Sequence, residues 1–190
     1  MMKKIPTIFD RDWAGDKSRV LDVVNPDAQW VFDGEGNATR KIDGTCCLIR
    51  DHKLYKRREI TAEDVQNNKV PVGFERADTD PTTAKIVGWV PVGDGPEDRW
   101  HREAFQDWQD DGTYELVGPK IQGNPEHLPD HRLIGHDAVD LLIDEPFERT
   151  FNGIKAFLST QDIEGVVFHH PDGRMAKIKG RDFGLKRSSR

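Results

Sequence analysis

IEGVVFHHPDGRMAKIKG, residues 163–180, is the stretch on which the fold turns. A β-branched and aromatic run, 163–169, leads into Pro171-Asp172-Gly173, whose residue types preset a tight turn. Apolar and basic residues then alternate over 174–179, which reads as a second strand paired antiparallel to the first. Period-two alternation puts Lys177 and Lys179 on one face of that strand and Ala176 and Ile178 on the buried one. The same rule puts Glu164 on the face of Val166 and Phe168.

Working outward, 39–50 reads as strand, tight turn at Gly44, strand, with an apolar run from Cys46 to Ile49. Asp51-His52-Lys53 is a hairpin turn into a strand over 54–58. Thr61 opens a short helix as its N-cap, and Thr150 begins an amphipathic helix through 159 with Phe151, Ile154, Phe157 and Leu158 on one side. Between them, 70–95 is dense in Pro, Gly and Asp and reads as loops and extended segments, with a strand at 86–92. A helix is expected over 102–109, and strands over 113–121 and 132–134. These elements predict an α+β domain whose core is mostly antiparallel sheet, flanked by helices.

With 190 residues, 35% of them hydrophobic, the chain has material for one core, and a single domain over 1–190 is expected. Nothing approaches the roughly 18 consecutive apolar residues of a membrane span, and the N-terminus lacks the apolar run of a signal peptide. Cys46 and Cys47 are neighbours whose side chains leave a strand on opposite faces, so they form no disulfide framework. Two reduced thiols suit a cytoplasmic location. A net charge of −6 argues against nucleic-acid binding, since that affinity comes mainly from Lys and Arg displacing counterions. The distribution argues the other way. Residues 174–190 carry seven basic side chains against Asp182 alone, and Lys53, Lys56, Arg57 and Arg58 form a second cluster. The ordinary reading of either run is a solvated face. Gly93-Asp94-Gly95 lacks the third glycine of a dinucleotide fingerprint, and the seven histidines do not meet the two cysteines at zinc-finger spacing.

Several strands carry reactive polar side chains two residues apart: Lys41 and Asp43 in KIDG, and Lys177 and Lys179 in AKIK. Glu164 and Glu115 sit within apolar strand segments, where an unpaired charge is costly. Any one of these lysines read alone is an exposed residue on a half-solvated sheet. Taken together, lysines and acids directed into one cleft suit a polyphosphate and its divalent cation. A lysine beside other cations also loses its proton more readily and becomes a nucleophile.

KIDG at 41–44, a strand glutamate at 115, EGVVF at 164–168 and MAKIK at 175–179 resemble, in this order, motifs I, III, IV and V of the covalent nucleotidyltransferases, the polynucleotide ligases and mRNA capping enzymes. The longer strings KIDGTCC, GWVPV, YELVGPKIQGNPE and EGVVFHHPDGRMAKIKGRDFGL are similar to those of small ATP-dependent RNA ligases related to the vertebrate 5′-to-3′ RNA ligase. The resemblance implies a nucleotidyltransferase domain without a C-terminal OB domain, in which Lys41 attacks the α-phosphorus of ATP and keeps AMP as a phosphoramidate. AMP then passes to an RNA 5′-phosphate, and a 3′-hydroxyl displaces it, as in RNA repair. It further implies that Lys177 and Lys179 contact the α-phosphate, and that Glu115 and one arginine, Arg58 over Arg57, contact the nucleotide. Asp43 and Glu164 serve Mg²⁺, with Mn²⁺ as the alternative metal, and the implied partner of this monomer is RNA with 5′-phosphate and 3′-hydroxyl ends. The adenine-stacking aromatic of many ligases has no counterpart over 131–140 except histidines such as His136, for which an ordinary loop role is the simpler reading. A ligase of nicked DNA on the same scaffold and an idle nucleotide- or RNA-binding module are the competing readings.

Overall fold

A computed structural model describes residues 4–81 and 83–187. The elements in chain order are β1 (Phe9–Arg11), β2 (Val20–Val24), α1 (Gln29–Phe32), β3 (Asn37–Lys41), β4 (Thr45–Arg50), β5 (Lys53–Ile60), α2 (Ala62–Gln66), β6 (Glu75–Thr79), β7 (Ile86–Pro91), α3 (Arg99–Ala104), β8 (Gly112–Val117), β9 (Arg132–Gly135), α4 (Phe151–Thr160), β10 (Gly165–His169) and β11 (Met175–Lys179). The architecture is a mixed one of antiparallel sheets with few helices, compatible with the α+β expectation. No helix among the described residues is long and apolar enough to cross a membrane. The chain divides into two compact units: one is built from Asp43–His136 with the N-terminal residue Lys4, the other from Ile5–Ile42 and 137–187. In sequence, one unit is inserted into the other.

The first unit holds a six-stranded sheet in the order β6-β7-β5-β4-β8-β9. Asp51 and His52 both take positive φ, 52° and 55°, the pair of left-handed residues that a two-residue hairpin turn between β4 and β5 requires. One face of the sheet is apolar. Cys47, Ile49, Leu54, Leu116 and Leu133 pack there with Ala104 of α3 and with Ile121, and partly buried Trp100 and Phe105 close the cluster. Three expectations are corrected here. The helix expected over 102–109 runs from Arg99 to Ala104, because Phe105 turns extended (φ −74°, ψ 132°). The strand expected over 113–121 ends at Val117, where Gly118 takes φ 136°, a conformation only glycine adopts without strain. The Pro-, Gly- and Asp-dense stretch contains an extra edge strand, β6, paired to β7 with an irregular register between Arg76 and Asp78.

The second unit holds a three-stranded sheet in the order β11-β10-β3 and a two-stranded one, β1-β2. The hairpin expected at 163–180 forms as β10 and β11, with register pairs from Gly165↔Lys179 to His169↔Met175. Both outer edges of the three-stranded sheet are covered. Ile8 N–H donates to Lys177 O at 3.0 Å and Lys177 N–H to Pro6 O at 2.9 Å, while Ile143 N–H donates to Ala38 O at 3.0 Å. Val166, Phe168, Ala176 and Ile178 are fully buried on one face, against Ile154 and Leu158 of α4. That helix starts where Thr150 accepts the Gly153 N–H at 3.1 Å, a cap of the kind contributing about 1 kcal/mol.

The strand, turn, strand reading of 39–50 is corrected in one respect. β3 and β4 are not a hairpin: β3 pairs with β10, and β4 pairs with β5 and β8, so the segment Ile42-Asp43-Gly44 passes from one sheet to another.

Candidate functional site: a lysine and glutamate cluster on the three-stranded sheet

Lys41 is the last residue of β3 and stands opposite Gly165 of the central strand. Lys179 stands opposite the same glycine from the other side, and Lys177 and Thr39 flank Val167 one pleat further on. Strand pairing therefore puts Lys41, Lys177 and Lys179 on one face of one sheet, with the apolar core on its other face. Gly165 is a necessity of this arrangement. A Cβ there would lie 2.1 Å from Ile178 O and 2.8 Å from Lys179 Cα, so any side chain would push the lysine strand away.

Glu164 completes the cluster, though not from the expected face. Val166 and Phe168 point into the core, whereas the Glu164 carboxylate receives Lys41 Nζ on Oε2 at 2.6 Å and Lys179 Nζ on Oε1. The residue precedes β10 by one position, so strand alternation does not govern it. Its backbone is fixed as well, since Gly180 N–H donates to Glu164 O at 2.9 Å. Buried Asp182 accepts the Lys179 N–H at 2.9 Å and Arg11 Nη2 at 3.0 Å, which anchors the end of β11. The three cluster side chains are 18% (Lys41), 12% (Glu164) and 16% (Lys179) exposed: sheltered enough to strengthen their interaction, open enough to meet a ligand. Burial opposes ionisation of Glu164, but the charges of Lys41 and Lys179 outweigh it and hold its pKa below the ordinary value.

The sign of the pH effect follows. With a folded-state pKa below the unfolded one, Glu164 contributes stability above about pH 4.3, its unfolded value, and that contribution is lost as pH falls through the folded value. Glu164→Gln should therefore be less stable than wild type at pH 7 and approach it in acid. Urea midpoints across that range would show the gap narrowing; a constant gap would mean the ion pairs contribute nothing pH-dependent.

The other expected site residues lie in the first unit. Asp43 is half-buried, and its N–H donates to Glu126 Oε1 at 3.1 Å. The neighbouring Gly44 passes so close to β8 that a Cβ would meet Leu116 O at 2.2 Å. Glu115 is buried in β8, opposite Cys46 of β4 and Ile134 of β9, and its Oε2 meets His136 Nε2 at 2.9 Å. His136 thus has a carboxylate partner on Nε2, while its buried Nδ1 makes no hydrogen bond. Arg58 faces the side of the sheet that carries Lys56; by register, Arg57 is the arginine on the face of Cys46 and Glu115.

The basic cluster expected to meet RNA also loses a member. Lys56 is buried against Asp98, a carboxylate that also accepts the Gly93 N–H at 2.8 Å. Burial opposes the charge on Asp98, and Lys56 and the Gly93 bond more than offset it, leaving its pKa lowered. In the basic tail, Arg187 pairs with Asp162 at 3.0 Å, Lys186 is exposed, and Arg190 lies outside the described residues. Trp89 is a core residue at 2% exposure, while Trp108 is 75% exposed.

As an arrangement, two ammonium groups bridged by one carboxylate with a third lysine on the same face form a net cationic patch, which suits a phosphate group able to take over a lysine from Glu164. Compared with models of known protein families and with curated proteins, the chain matches none.

Proposed function

We propose that the chain is an ATP-dependent RNA ligase of the covalent nucleotidyltransferase type, acting through AMP bound to Lys41. The observation that carries this reading is the cluster itself: Lys41, Glu164 and Lys179, from three separate sequence motifs, in direct ion-pair contact, with Lys177 on the same sheet face. In this reading Lys41 Nζ attacks the α-phosphorus as the neutral amine, forming a P–N bond as the bond to pyrophosphate breaks and releasing one amine proton to solvent. Lys177 and Lys179 offset the charge developing on the phosphoryl oxygens. AMP then moves to an RNA 5′-phosphate, and an RNA 3′-hydroxyl displaces it.

Mg²⁺ would supply further neutralisation of phosphate charge. Glu164 and Asp43 are oxygen donors of the class that ion prefers. Both oxygens of Glu164 already face ammonium groups, which fits contact through metal-bound water. Glu115 and an arginine of β5 are the residues this reading assigns to the nucleotide.

The direct test is incubation of the full chain with Mg²⁺ and ATP labelled on the α-phosphate, followed by denaturation. Label that survives denaturation, is lost in acid and is removed by pyrophosphate supports the reading. A chain that stays unlabelled, even after pretreatment with pyrophosphate to strip bound AMP, overturns it and favours an idle binding module. Matched nicks ending in a ribo- or a deoxyribonucleotide 3′-hydroxyl then separate RNA from DNA sealing. Lys179→Ala should slow labelling by about 100-fold or more, the scale on which one preorganised donor to a developing oxyanion acts. An unchanged rate in both Lys179→Ala and Lys177→Ala would remove the two-lysine phosphate site.

A further inference from the structure

Sequence spacing keeps the histidines and cysteines apart, but the six-stranded sheet brings one of each together around a carboxylate. Cys46 stands opposite Glu115 across the β4–β8 ladder, and Ile134 stands opposite Glu115 on its other side. His136 follows the end of β9 by one position, and its ring reaches back to Glu115, Nε2 lying 2.9 Å from Oε2. One ligand atom from each of Cys46, Glu115 and His136 lies within 4.8 Å of the other two.

We propose that Cys46, Glu115 and His136 form a binding site for a zinc-class divalent cation, with three protein ligands and a fourth position open to water. The donor set selects the ion. A thiolate and an imidazole suit zinc and its neighbours, whereas magnesium and calcium take oxygen ligands. Charge balances too: one thiolate, one carboxylate and a neutral imidazole cancel two positive charges. Coordination releases the Cys46 thiol proton to solvent and leaves the imidazole neutral, with its remaining proton on the uncoordinated nitrogen.

The geometry requires little movement. Around a tetrahedral zinc with bonds of about 2.0–2.3 Å, ligand atoms lie about 3.4–3.7 Å apart. From separations of at most 4.8 Å, side-chain shifts of about 1 Å reach this spacing, with Cys46 and Glu115 held in register on paired strands and His136 one residue past β9. Glu115 is 7% exposed, while Cys46 and His136 are half-buried, so the donors are sheltered but reachable. His136 Nδ1 is buried and makes no hydrogen bond, an orphaned polar atom of the kind that costs stability. A cation at Nδ1 supplies its partner, and Glu115 exchanges its contact to Nε2 for the metal. Cys47 is excluded from the site: it faces the core, is fully buried, and burial holds its thiol well above the ordinary pKa.

The test uses the reduced full chain and no nucleotide, so its outcome is independent of the ligase reading. Titration with Co²⁺ should give a thiolate-to-metal charge-transfer band and the visible bands of a tetrahedral site, both erased by stoichiometric Zn²⁺. Cys46→Ser should lose the charge-transfer band. His136→Gln should weaken binding by at least about 100-fold, since even an outer-shell partner of a metal site is worth about 10–100-fold. On the unmodified chain, Zn²⁺ should protect Cys46 from alkylation, read by mass spectrometry, and the same concentration of Mg²⁺ should not. Absence of a charge-transfer band on wild type, its persistence in Cys46→Ser, or equal alkylation of Cys46 with and without Zn²⁺ would each overturn the site.

Discussion

Lys41→Ala is expected to retain no α-phosphate label under conditions in which wild type is labelled, and Lys41→Arg is expected to behave the same way. The two variants separate charge from nucleophilicity. Arginine restores a cation beside Glu164, and with it much of the ion pair seen at 2.6 Å, but a guanidinium stays protonated and cannot attack phosphorus. A purely electrostatic role for Lys41 predicts that Lys41→Arg still binds ATP and acts; the covalent role predicts a chain that binds ATP and never becomes labelled. The loss should be complete, because removing the nucleophile abolishes the step. Label persisting at wild-type level in both variants, with the same acid lability, would place the nucleophile elsewhere and sink the assignment.

Asp98→Ala should destabilise the fold by about 3–5 kcal/mol, more than any single substitution in the lysine and glutamate cluster. It leaves the Lys56 ammonium, 9% exposed, without its carboxylate, and deprives the Gly93 N–H of its acceptor. His101 cannot compensate. It lies 3.8 Å from Asp98, both its ring nitrogens are buried without hydrogen bonds, and burial lowers its pKa, so it favours the neutral form. Removing both charges, as in Lys56→Met with Asp98→Ala, should recover much of the loss, since the unpaired buried charge is the main penalty. Urea denaturation of the two variants measures this. A cost below about 1 kcal/mol for Asp98→Ala, or a double variant no better than the single one, would show that Lys56 reaches water once released.

Legibility in the sequence tracked how local the physics is. The β10–β11 hairpin was readable because Pro171-Asp172-Gly173 sets the turn, and the turn sets the register that puts Lys177 and Lys179 on one face. The cap at Thr61 and the beginning of α4 near Thr150 were readable for the same reason, each being settled within about one helical turn. Glu164 was read onto the wrong face because alternation was extended one residue beyond the strand that enforces it. Lys56 looked like one of four similar cations, and only the arrival of Asp98 from 42 residues away made it a core residue.

By itself, then, the sequence determined the hairpin, the starts of α2 and α4, the alternation of buried and polar positions within strands, and a short set of reactive lysines and acids. Tertiary structure alone decided which of them meet. Lys41 touches Glu164 across 123 residues because β3 leaves β4 and pairs with β10, and Cys46, Glu115 and His136 converge because β8 lies between β4 and β9. The physical reason is that a strand's pleat is fixed by its own backbone, while its neighbour is chosen by the burial of apolar faces and the pairing of edges contributed by distant parts of the chain.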